Sequence, residues 1–257
     1  MKRSSLVVFY SVISAIFFRE LQVRFSSQKM GYLWAIIDSA AMIIVFSIMK
    51  TYLGSSMSGI DYPVFLATSF LSYNLFKAIV TKSMDAFNAN KALFSYKQVK
   101  PIDTIFARTM VEFLVITVVT VLFIFVGLYM GYDLSIKNFP MVVFALLWFI
   151  LFGIGLGVFF AVIVTFFDNF KKIVNLIFLP MLFLSGLFYT VESLPSQARD
   201  IILYNPIIHF VEMIHGNYFE VLDTYYVDYQ YMFLWTFVPL FFGLWLYRGV
   251  EKKVISS

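Results

Sequence analysis

The chain contains no cysteine, which excludes disulfide bonds, thiolate nucleophiles and cysteine-ligated metals. Charge is also scarce, because only 13% of the 257 residues are Asp, Glu, Lys or Arg, whereas 61% are hydrophobic. A soluble domain of this length needs far more charge to cover its surface. The composition therefore predicts a protein solvated by lipid. It has room for roughly six apolar crossings of about 20 residues each and for no large soluble domain.

The sequence also lacks the glycine-rich loop ending in Lys-Ser or Lys-Thr that binds nucleotide phosphates. The nearest pattern, GIGLG from Gly153 to Gly157, has the wrong spacing and lies inside a long apolar run. Gly153 and Gly157 are four residues apart, so they share one face of a helix. They predict a surface of small residues for close helix packing.

Two groups of polar residues bear on an enzymatic or metal-binding function. Ser185-Gly186 with His209 or His215 would suit a membrane serine protease, but Phe183 stands where such an enzyme needs glycine. His209, Glu212 and His215 could ligate zinc, yet they spread over roughly 120° of a helix and no fourth ligand is evident. We interpret them as a polar face at the membrane boundary, and we predict no catalytic residues and no metal.

Six apolar segments predict transmembrane helices, since only a helix satisfies its own backbone in lipid. They cover residues 31–53, 62–82, 103–130, 139–167, 173–190 and 230–248. Residues 1–30 could be a signal peptide, but no small-x-small cleavage site follows the apolar run. Their polar face predicts an amphipathic interface helix instead. The predicted fold class is an all-α integral membrane protein, with this interface helix followed by a transmembrane domain over residues 31–257.

Lysine and arginine concentrate on alternate connections between the spans, which predicts the orientation. With the N-terminus inside, most cations lie in the cytoplasm, and so do both termini and the connection 85–100. The acidic residues predicted to lie outside are Asp61, Asp133, Glu192, Asp200, Glu220, Asp223 and Asp228.

The outer connection, residues 191–228, is too long for a simple turn. Its pattern predicts two short helices that dip back into the outer leaflet, with Asn205-Pro206 as the break between them. Within the spans, Tyr73 and Phe76 are candidates to face a pore, because flat aromatic faces suit the passage of sugar rings.

Charges inside the spans are costly and often functional. Glu112 follows Arg108 by four residues, which predicts an ion pair on one helix face. Asp38 and Lys77 lie at similar depths from the inner ends of the first two spans, so they are candidates for a second pair. The alternative is that Lys77 extends its ammonium group to the interface. Asp103 is placed to cap the third span.

The connection 85–100 has the pattern of a short amphipathic helix. In a helix, Phe87 and Phe94 share one stripe, and Lys91 and Lys97 flank it. A helix with aromatic residues at its surface suits a groove in another protein. A cationic loop resting on lipid headgroups explains the same residues equally well.

Four segments of the chain are similar to one known family. They are ALFSYKQVKPIDTIFAR (92–108), FFRELQVRFSSQKMGYLWAIID (17–38), YPVFLATSF (62–70) and NPIIHFVEMIHGNYF (205–219). In order and spacing they resemble the membrane subunit of ABC-2 polysaccharide exporters, specifically the KpsM-type capsule permeases, from about Phe17 to the C-terminus. The stretch IIDSA (36–40) departs from the family, which usually has proline after the acidic or amide residue; a less kinked first span is implied.

The resemblance implies a non-catalytic transport subunit in a bacterial inner membrane. Residues 85–100 would be the coupling helix that contacts a separate ATPase subunit, and residues 191–228 would form an outer gate. The implied coupling residues are Phe87, Lys91, Phe94, Tyr96 and Lys97. The implied gate residues are Asn205, Pro206, His209, Glu212 and His215. Arg19, Arg24 and Lys29 are implied to meet an acidic lipid headgroup or a phosphorylated anchor where substrate enters.

The same resemblance implies the assembly and its cargo. Two copies of the chain, as a homodimer, would form the channel with two ATPase subunits, which bind ATP and Mg. The cargo would be a lipid-linked capsular polysaccharide, passed on to periplasmic and outer-membrane partners. No cofactor on this chain and no nucleic acid are expected. The alternatives are an ABC-2 exporter of O-antigen or teichoic acid, and an ion-coupled secondary transporter, which would show inverted repeats or a mid-membrane carboxylate relay.

Overall fold

The computed structural model describes residues 5–27, 31–53 and 59–256, and these residues form helices joined by turns, with no strand among them. The α-helices in these ranges are α1 Ser5–Ser27, α2 Gly31–Leu53, α3 Tyr62–Met84, α4 Ala86–Ala89, α5 Pro101–Met130, α6 Phe139–Phe166, α7 Phe170–Leu184, α8 Ser196–Ile202, α9 Pro206–Tyr218 and α10 Tyr229–Ser256. Two short 3₁₀ helices occur at Lys91–Ser95 and Val191–Ser193. We name the end of the bundle that carries residues 85–100 the inner end. The end that carries residues 185–228 is the outer end.

Four helices of the described part are long and apolar enough to cross a membrane. They are α3, α5, α6 and the Tyr229–Glu251 part of α10. Helix α2 contributes a shorter apolar stretch, Ser39–Lys50. The prediction of an all-helical membrane protein is confirmed, while the number of six spans stays a prediction.

The predicted fifth span, 173–190, differs from the structure. Helix α7 ends at Leu184, and the chain turns at Gly186, which has a φ of +73°. A helix of 15 residues is about 22 Å long, shorter than the roughly 30 Å hydrocarbon layer. The apolar run continues through Leu187 because that side chain is buried in the core cluster that also holds Ile207 and Phe210 of α9, and hydropathy does not separate a buried turn from a helix.

Helix α6 lies between α3 and α10, and its glycines permit the close approach on both sides. A Cβ added at Gly157 would lie 2.6 Å from the Cβ of Ser83 in α3. A Cβ added at Gly155 would lie 3.1 Å from the carbonyl oxygen of Thr236 in α10. Residues two apart point to nearly opposite sides of a helix. The predicted packing face, Gly153 with Gly157, is confirmed, and its partner is α3.

Stacked phenylalanine rings connect α9 to α3 and α6. The Phe149 ring stacks on Phe76 of α3 with centroids 4.5 Å apart, and on Phe210 of α9 at 4.9 Å. Phe152 stacks on Phe210 at 5.2 Å and on Phe76 at 5.0 Å. Each such pair adds about 0.5–1.5 kcal/mol beyond the area it buries. The outer helix α9 is therefore fixed to the core of the bundle.

Tyr73 and Phe76 are not where a pore-lining role requires them. Phe76 is enclosed by the ring stack, and Tyr73 is buried with its hydroxyl donating to the Phe178 carbonyl at 2.7 Å. Neither ring faces open space within this chain. Both apolar faces contribute to the packing of α3 against α6 and α7 instead.

Candidate functional site

Residues 85–100, here named the coupling segment, do not form one amphipathic helix. Helix α4 ends after four residues and the 3₁₀ helix Lys91–Ser95 follows it. Between them, the Asn90 side chain donates to the Ala86 carbonyl at 2.9 Å. Asparagine favours such breaks because its side chain competes with the backbone for hydrogen bonds. Asp103 accepts from the Lys100 N–H at 2.9 Å and so starts α5, as predicted.

Phe87 and Phe94 face the interior of the chain. Their exposed fractions are 2% and 3%, and they belong to a cluster with Ile105 of α5, Val162 of α6 and Tyr247 of α10. The prediction that these two rings lie at the docking surface is wrong for this structure. The physical reason is that such short helices are unstable alone and bury their apolar stripe against their own subunit.

Apart from Ala89 and Ala92, the exposed residues of the coupling segment are polar or, at Tyr96, aromatic. Tyr96 is 65% exposed, and Lys91, Lys97 and Lys100 around it are exposed as well. We name these four residues the inner-end surface. An aromatic ring among cations presents an amphipathic patch, which suits a partial apolar groove with an acidic rim.

Two ion pairs, one helical turn apart, attach α1 to α5, and the two helices run in the same direction there. Glu20 Oε1 accepts from Arg108 Nε at 3.3 Å, and Arg24 Nη1 donates to Glu112 Oε1 at 2.6 Å. The predicted Arg108–Glu112 pair within α5 is replaced by these contacts, because α1 offers each residue an opposite charge. Arg19 Nη2 adds a hydrogen bond to Asn90 Oδ1 at 2.8 Å, which attaches α1 to the coupling segment.

Two of the three residues predicted to meet a lipid headgroup, Arg19 and Arg24, have partners within the chain. Lys29 and the side chain of Asp38 lie outside the described residues, so the role of Lys29 and the Asp38–Lys77 pair stay predictions. Lys77 itself is half-buried on α3.

A charge pattern in the sequence matches this register, although it was not among the predictions. Glu20 and Arg24 are four residues apart, and Arg108 and Glu112 repeat that spacing with the charges reversed. Two helices with complementary charges at equal spacing can pair in parallel along both positions. The ion pair between Lys171 and Asp85 had no comparable signal, since a single opposite charge does not select a partner.

At the outer end, the break at Asn205-Pro206 separates α8 from α9. Asn205 Oδ1 accepts from the Ile207 N–H at 3.0 Å and caps α9, while its Nδ2 donates to Ser185 Oγ at 2.9 Å. Ser185 Oγ in turn donates to the Met181 carbonyl. The serine is thus used in local structure, and both histidines bond to other groups, which removes the protease interpretation.

His209, Glu212 and His215 point to three different partners. His209 accepts from the Asp228 N–H through Nδ1 at 3.2 Å, and its Nε2 lies 2.9 Å from the Leu203 carbonyl. His215 Nε2 lies 2.9 Å from Ser69 Oγ of α3. All ten residues of 207–216 are buried. These residues therefore pack α9 into the bundle, and they do not converge on a common point.

Glu212 is the buried carboxyl group of α9. Its Oε1 accepts from the Val191 N–H at 2.6 Å, which attaches the start of the outer 3₁₀ helix. Burial raises the pKa of Glu212 to about 7, although the Val191 hydrogen bond opposes that shift. Burial also lowers the pKa of His215 to about 3, so that imidazole stays neutral.

The raised pKa of Glu212 predicts a stability that falls as pH increases. The folded protein holds the carboxyl proton up to about pH 7, while the unfolded chain releases it near 4.5. Stability contributed by Glu212 is therefore lost between about pH 4.5 and 7, by up to about 3 kcal/mol. The Glu212→Gln variant should lack this loss, because glutamine accepts from Val191 without ionising. The loss is measured as the difference in melting temperature between pH 5 and pH 8, in detergent, for the natural protein and for the variant. An equal pH dependence of the two proteins would contradict the prediction.

The described part thus defines a class: an α-helical membrane protein whose inner end carries a cationic, aromatic surface and whose outer end carries the short buried helix α9. The family model of the ABC-2 type transporter matches residues 11–219. The chain belongs to the ABC-2 type transporter family.

Among the proteins of this family, the chain is similar to several that are named for polysaccharide export. The polysialic acid transport protein KpsM of Escherichia coli is 33% identical over 258 residues, covering 100% of both chains. The capsule polysaccharide export inner-membrane protein CtrC of Neisseria meningitidis serogroup A is 28% identical, covering 97% of this chain and 95% of its own. The O-antigen export system permease protein RfbA of Klebsiella pneumoniae is 28% identical, covering 79% of this chain and 78% of its own.

Proposed function

We propose that this chain is the permease subunit of an ABC transporter that exports a lipid-anchored capsular polysaccharide across the bacterial inner membrane. The observation that carries the proposal is the similarity over the full chain to proteins named for polysialic acid transport and capsule polysaccharide export. The permease itself performs no catalysis. A separate ATPase subunit binds ATP and Mg and drives transport.

The inner-end surface is the site where that ATPase docks. Tyr96 enters a shallow groove on the ATPase, and Lys91 and Lys97 meet acids at its rim. The coupling segment is connected to α1 by the Arg19–Asn90 hydrogen bond and to α10 by contact of Phe87 with Tyr247, whose ring centroids are 5.9 Å apart. A displacement of this segment is therefore passed to α1, α5 and α10 together.

The remaining architecture of the proposal follows the family resemblance. Helices α2 and α7 join α3, α5, α6 and α10 as the six spans, with both termini in the cytoplasm. Two copies form a homodimeric channel, and periplasmic and outer-membrane partners receive the polysaccharide. In this proposal the outer helices lie within the outer leaflet, and the short α7 and the turn at Gly186 support that position.

Export of O-antigen is the second candidate, and a named O-antigen permease is among the relatives. The capsule assignment is preferred because its relatives align along essentially the whole chain, whereas the O-antigen permease covers 79% of it. An ion-coupled transporter is less well supported, because Glu20, Arg24, Arg108 and Glu112 neutralise one another near the inner end.

A double substitution at the inner-end surface tests the docking role. Tyr96→Asp with Lys97→Glu should lower the amount of ATPase that co-purifies in mild detergent at least about tenfold, since it replaces an apolar and a cationic contact with two acids. Surface capsule should fall in parallel. The melting temperature of the subunit should stay unchanged, because both side chains are exposed.

The matched control is Tyr225→Asp, since Tyr225 is an exposed tyrosine at the outer end, with 84% of its surface accessible against 65% for Tyr96. It should leave the ATPase bound. Undiminished ATPase recovery with the double variant would refute docking at this surface.

A further inference from the structure

One side of α3 is polar, although α3 is long and apolar enough to cross a membrane. Asn74, Lys77 and Thr81 follow one another at steps of three and four residues, which places them on one side of the helix, and all three are half-buried. By contrast, every exposed residue of α6, and of residues 233–245 of α10, is apolar or aromatic. Polar residues in a span face the interior of a bundle or a water-filled cavity. This side of α3 therefore borders an aqueous space.

Lys77 projects into the groove between α2 and α7. Its direction from the axis of α3 falls between those of Tyr73 and Asn74, about 40° from the first and about 60° from the second. Asn74 Nδ2 donates to Ser39 Oγ of α2 at 3.3 Å, and the Tyr73 hydroxyl donates to the Phe178 carbonyl of α7 at 2.7 Å. Helices α2 and α7 therefore flank the lysine on its two sides.

Lys77 lacks a counter-charge, unlike the two charged residues of α5 at the inner end. Arg108 pairs with Glu20 and Glu112 pairs with Arg24, whereas Lys77 forms no ion pair among the described residues. It lies seven residues, about 10 Å, from the inner end of α3. An unbalanced charge at this depth is costly, and such residues mark the path of a substrate or ion. The groove therefore calls for a negative charge from outside this part of the chain.

The hydrogen-bonding groups of the groove suit an acidic sugar chain. The Lys77 ammonium group has three donors and no acceptor, which suits a carboxylate or a phosphate. Thr81 Oγ1 donates its proton to the Lys77 carbonyl at 2.8 Å, so towards other groups its oxygen acts as an acceptor. Sugar hydroxyl groups are suitable donors to it. A lysine beside a hydroxyl acceptor is therefore complementary to a polysaccharide that carries anionic groups.

We infer that Lys77 binds the carboxylate or phosphate groups of the exported polysaccharide as it passes between α2 and α7, and that this cargo is a polyanion. The inference rests on the proposed function and names the chemical class of the cargo. Lysine suits a polymer that has to move on, because its ammonium group is a hydrated point charge on a flexible stem, whereas arginine binds oxyanions through two fixed hydrogen bonds. Passage requires binding strong enough for entry and weak enough for release.

An anionic lipid headgroup is a less suitable partner for Lys77. Lys82 lies five residues nearer the inner end of α3 and is exposed, so it is the cation that a headgroup at the inner surface reaches first. Lys77 is half-buried between two helices instead. A polymer that enters the groove passes the lysine, whereas a headgroup would have to leave the membrane surface to reach it.

Chemical rescue at a single cysteine tests the inference, because the natural chain has no cysteine. Inverted membrane vesicles that hold the permease, the ATPase and the lipid-linked polysaccharide are supplied with ATP, and the polysaccharide enclosed in the vesicles is measured. Lys77→Cys should lower this amount at least about fivefold. Aminoethyl methanethiosulfonate rebuilds a lysine-like cation at position 77 and should restore export. The sulfonatoethyl reagent adds a negative charge and methyl methanethiosulfonate adds none, so neither should restore it.

Two controls accompany the rescue. Vesicles with the natural chain receive the same reagents, which corrects for the reaction of thiols on the ATPase. Met110→Cys is the matched position, because Met110 is 53% exposed, lies nine residues, about 14 Å, from the inner end of α5 and has the apolar exposed neighbours Phe106 and Phe113. The charged reagents should modify position 77 at least about tenfold faster than position 110, measured from the mass of the subunit. Equal rates would overturn the aqueous groove.

Charge variants separate contact with the cargo from a structural role. Lys77→Gln should lower the enclosed polysaccharide at least about fivefold, and Lys77→Arg should retain more of it, while ATPase co-purification and the melting temperature stay unchanged in both. Recovery of Lys77→Gln by Asp38→Asn would mean that the lysine only balances Asp38, and the inference would fail. It would also fail if Lys77→Gln lowered the melting temperature in nanodiscs of anionic lipid but not of zwitterionic lipid, since the lysine would then bind headgroups.

Further outcomes distinguish the inference from the function on which it rests. If the polysaccharide exported by the natural chain, freed from its anchor, is not retained by an anion exchanger, the cargo is neutral; the inference fails and the proposed function stands. Full export by Lys77→Cys without any reagent has the same meaning. If vesicles with the natural chain enclose no polysaccharide when ATP is added, the proposed function and the inference both fail.

Discussion

Replacing Phe94 by aspartate should remove the folded subunit from the membrane, and loss of the ATPase should be only a consequence. The ring is 3% exposed among residues of α5, α6 and α10. Truncation of a buried phenylalanine costs about 3–5 kcal/mol, and burial of a carboxyl group adds to that cost. The sum approaches the whole stability of a typical domain. Fluorescence-detected size-exclusion profiles and melting temperatures of the tagged subunit measure the loss.

Two variants separate folding from docking. Phe94→Leu should retain most of the folded protein, because it leaves a smaller apolar group in the same cavity. Tyr96→Asp changes the same segment at an exposed position and should leave folding intact. If Phe94→Asp gave a normal melting temperature and lost only the ATPase, the ring would lie at the interface and the burial described above would be wrong.

The error over Phe87 and Phe94 shows a limit of amphipathic patterns. Their spacing correctly indicated one apolar stripe, but a stripe does not specify whether it contacts a partner or its own chain. That choice depends on Tyr247 and Val254, which lie about 150 residues further along and become neighbours only in the fold. Lys91 and Lys97, which the same pattern placed beside the stripe, are exposed as expected.

The sequence predicted that Glu112 pairs with Arg108, its nearest cation along the chain. In the fold, Glu112 pairs with Arg24 of α1 instead. An i,i+4 pair stabilises a helix by only about 0.2–0.5 kcal/mol. Packing of α1 brings Arg24 to Glu112, whose side chain is 6% exposed and needs a counter-charge more strongly than a surface group does. The local pair therefore yields to a contact that sequence spacing alone does not select.

Long apolar runs and small residues were the reliable signals. The spans now seen as α3, α5, α6 and α10 follow from hydropathy, because lipid leaves the backbone no alternative to helix. The predicted fifth span was too long because Leu187 is apolar for a different reason, namely burial in the core cluster that also holds residues of α9. The glycines of α6 were interpreted correctly, because small residues four apart on an apolar helix let the backbone of a second helix approach closely.

The close approach of α3 to α6 makes Gly157 the most sensitive small residue of this helix pair. Gly157→Val should destabilise the subunit by about 3 kcal/mol or more, since overpacking already costs about 1–3 kcal/mol where side chains can adjust. Here the added Cβ would lie 2.6 Å from Ser83 Cβ and 2.8 Å from its Oγ, which are close to the backbone and move little. The expected result is a lower melting temperature and less folded subunit, measured in the same detergent assay.

Gly249→Val is the matched control, because it is also a helical glycine and a Cβ there meets nothing within 4 Å. Ser83→Gly should partly rescue Gly157→Val by removing the two atoms in conflict. The serine hydroxyl has no hydrogen-bond partner among the described residues, so its loss leaves no acceptor unpaired, and the cost is about 1 kcal/mol for a helical glycine. Equal effects at positions 157 and 249, or no rescue by Ser83→Gly, would mean that α3 and α6 do not touch at this point. The position of the coupling segment, which continues directly from α3, would then be wrong as well.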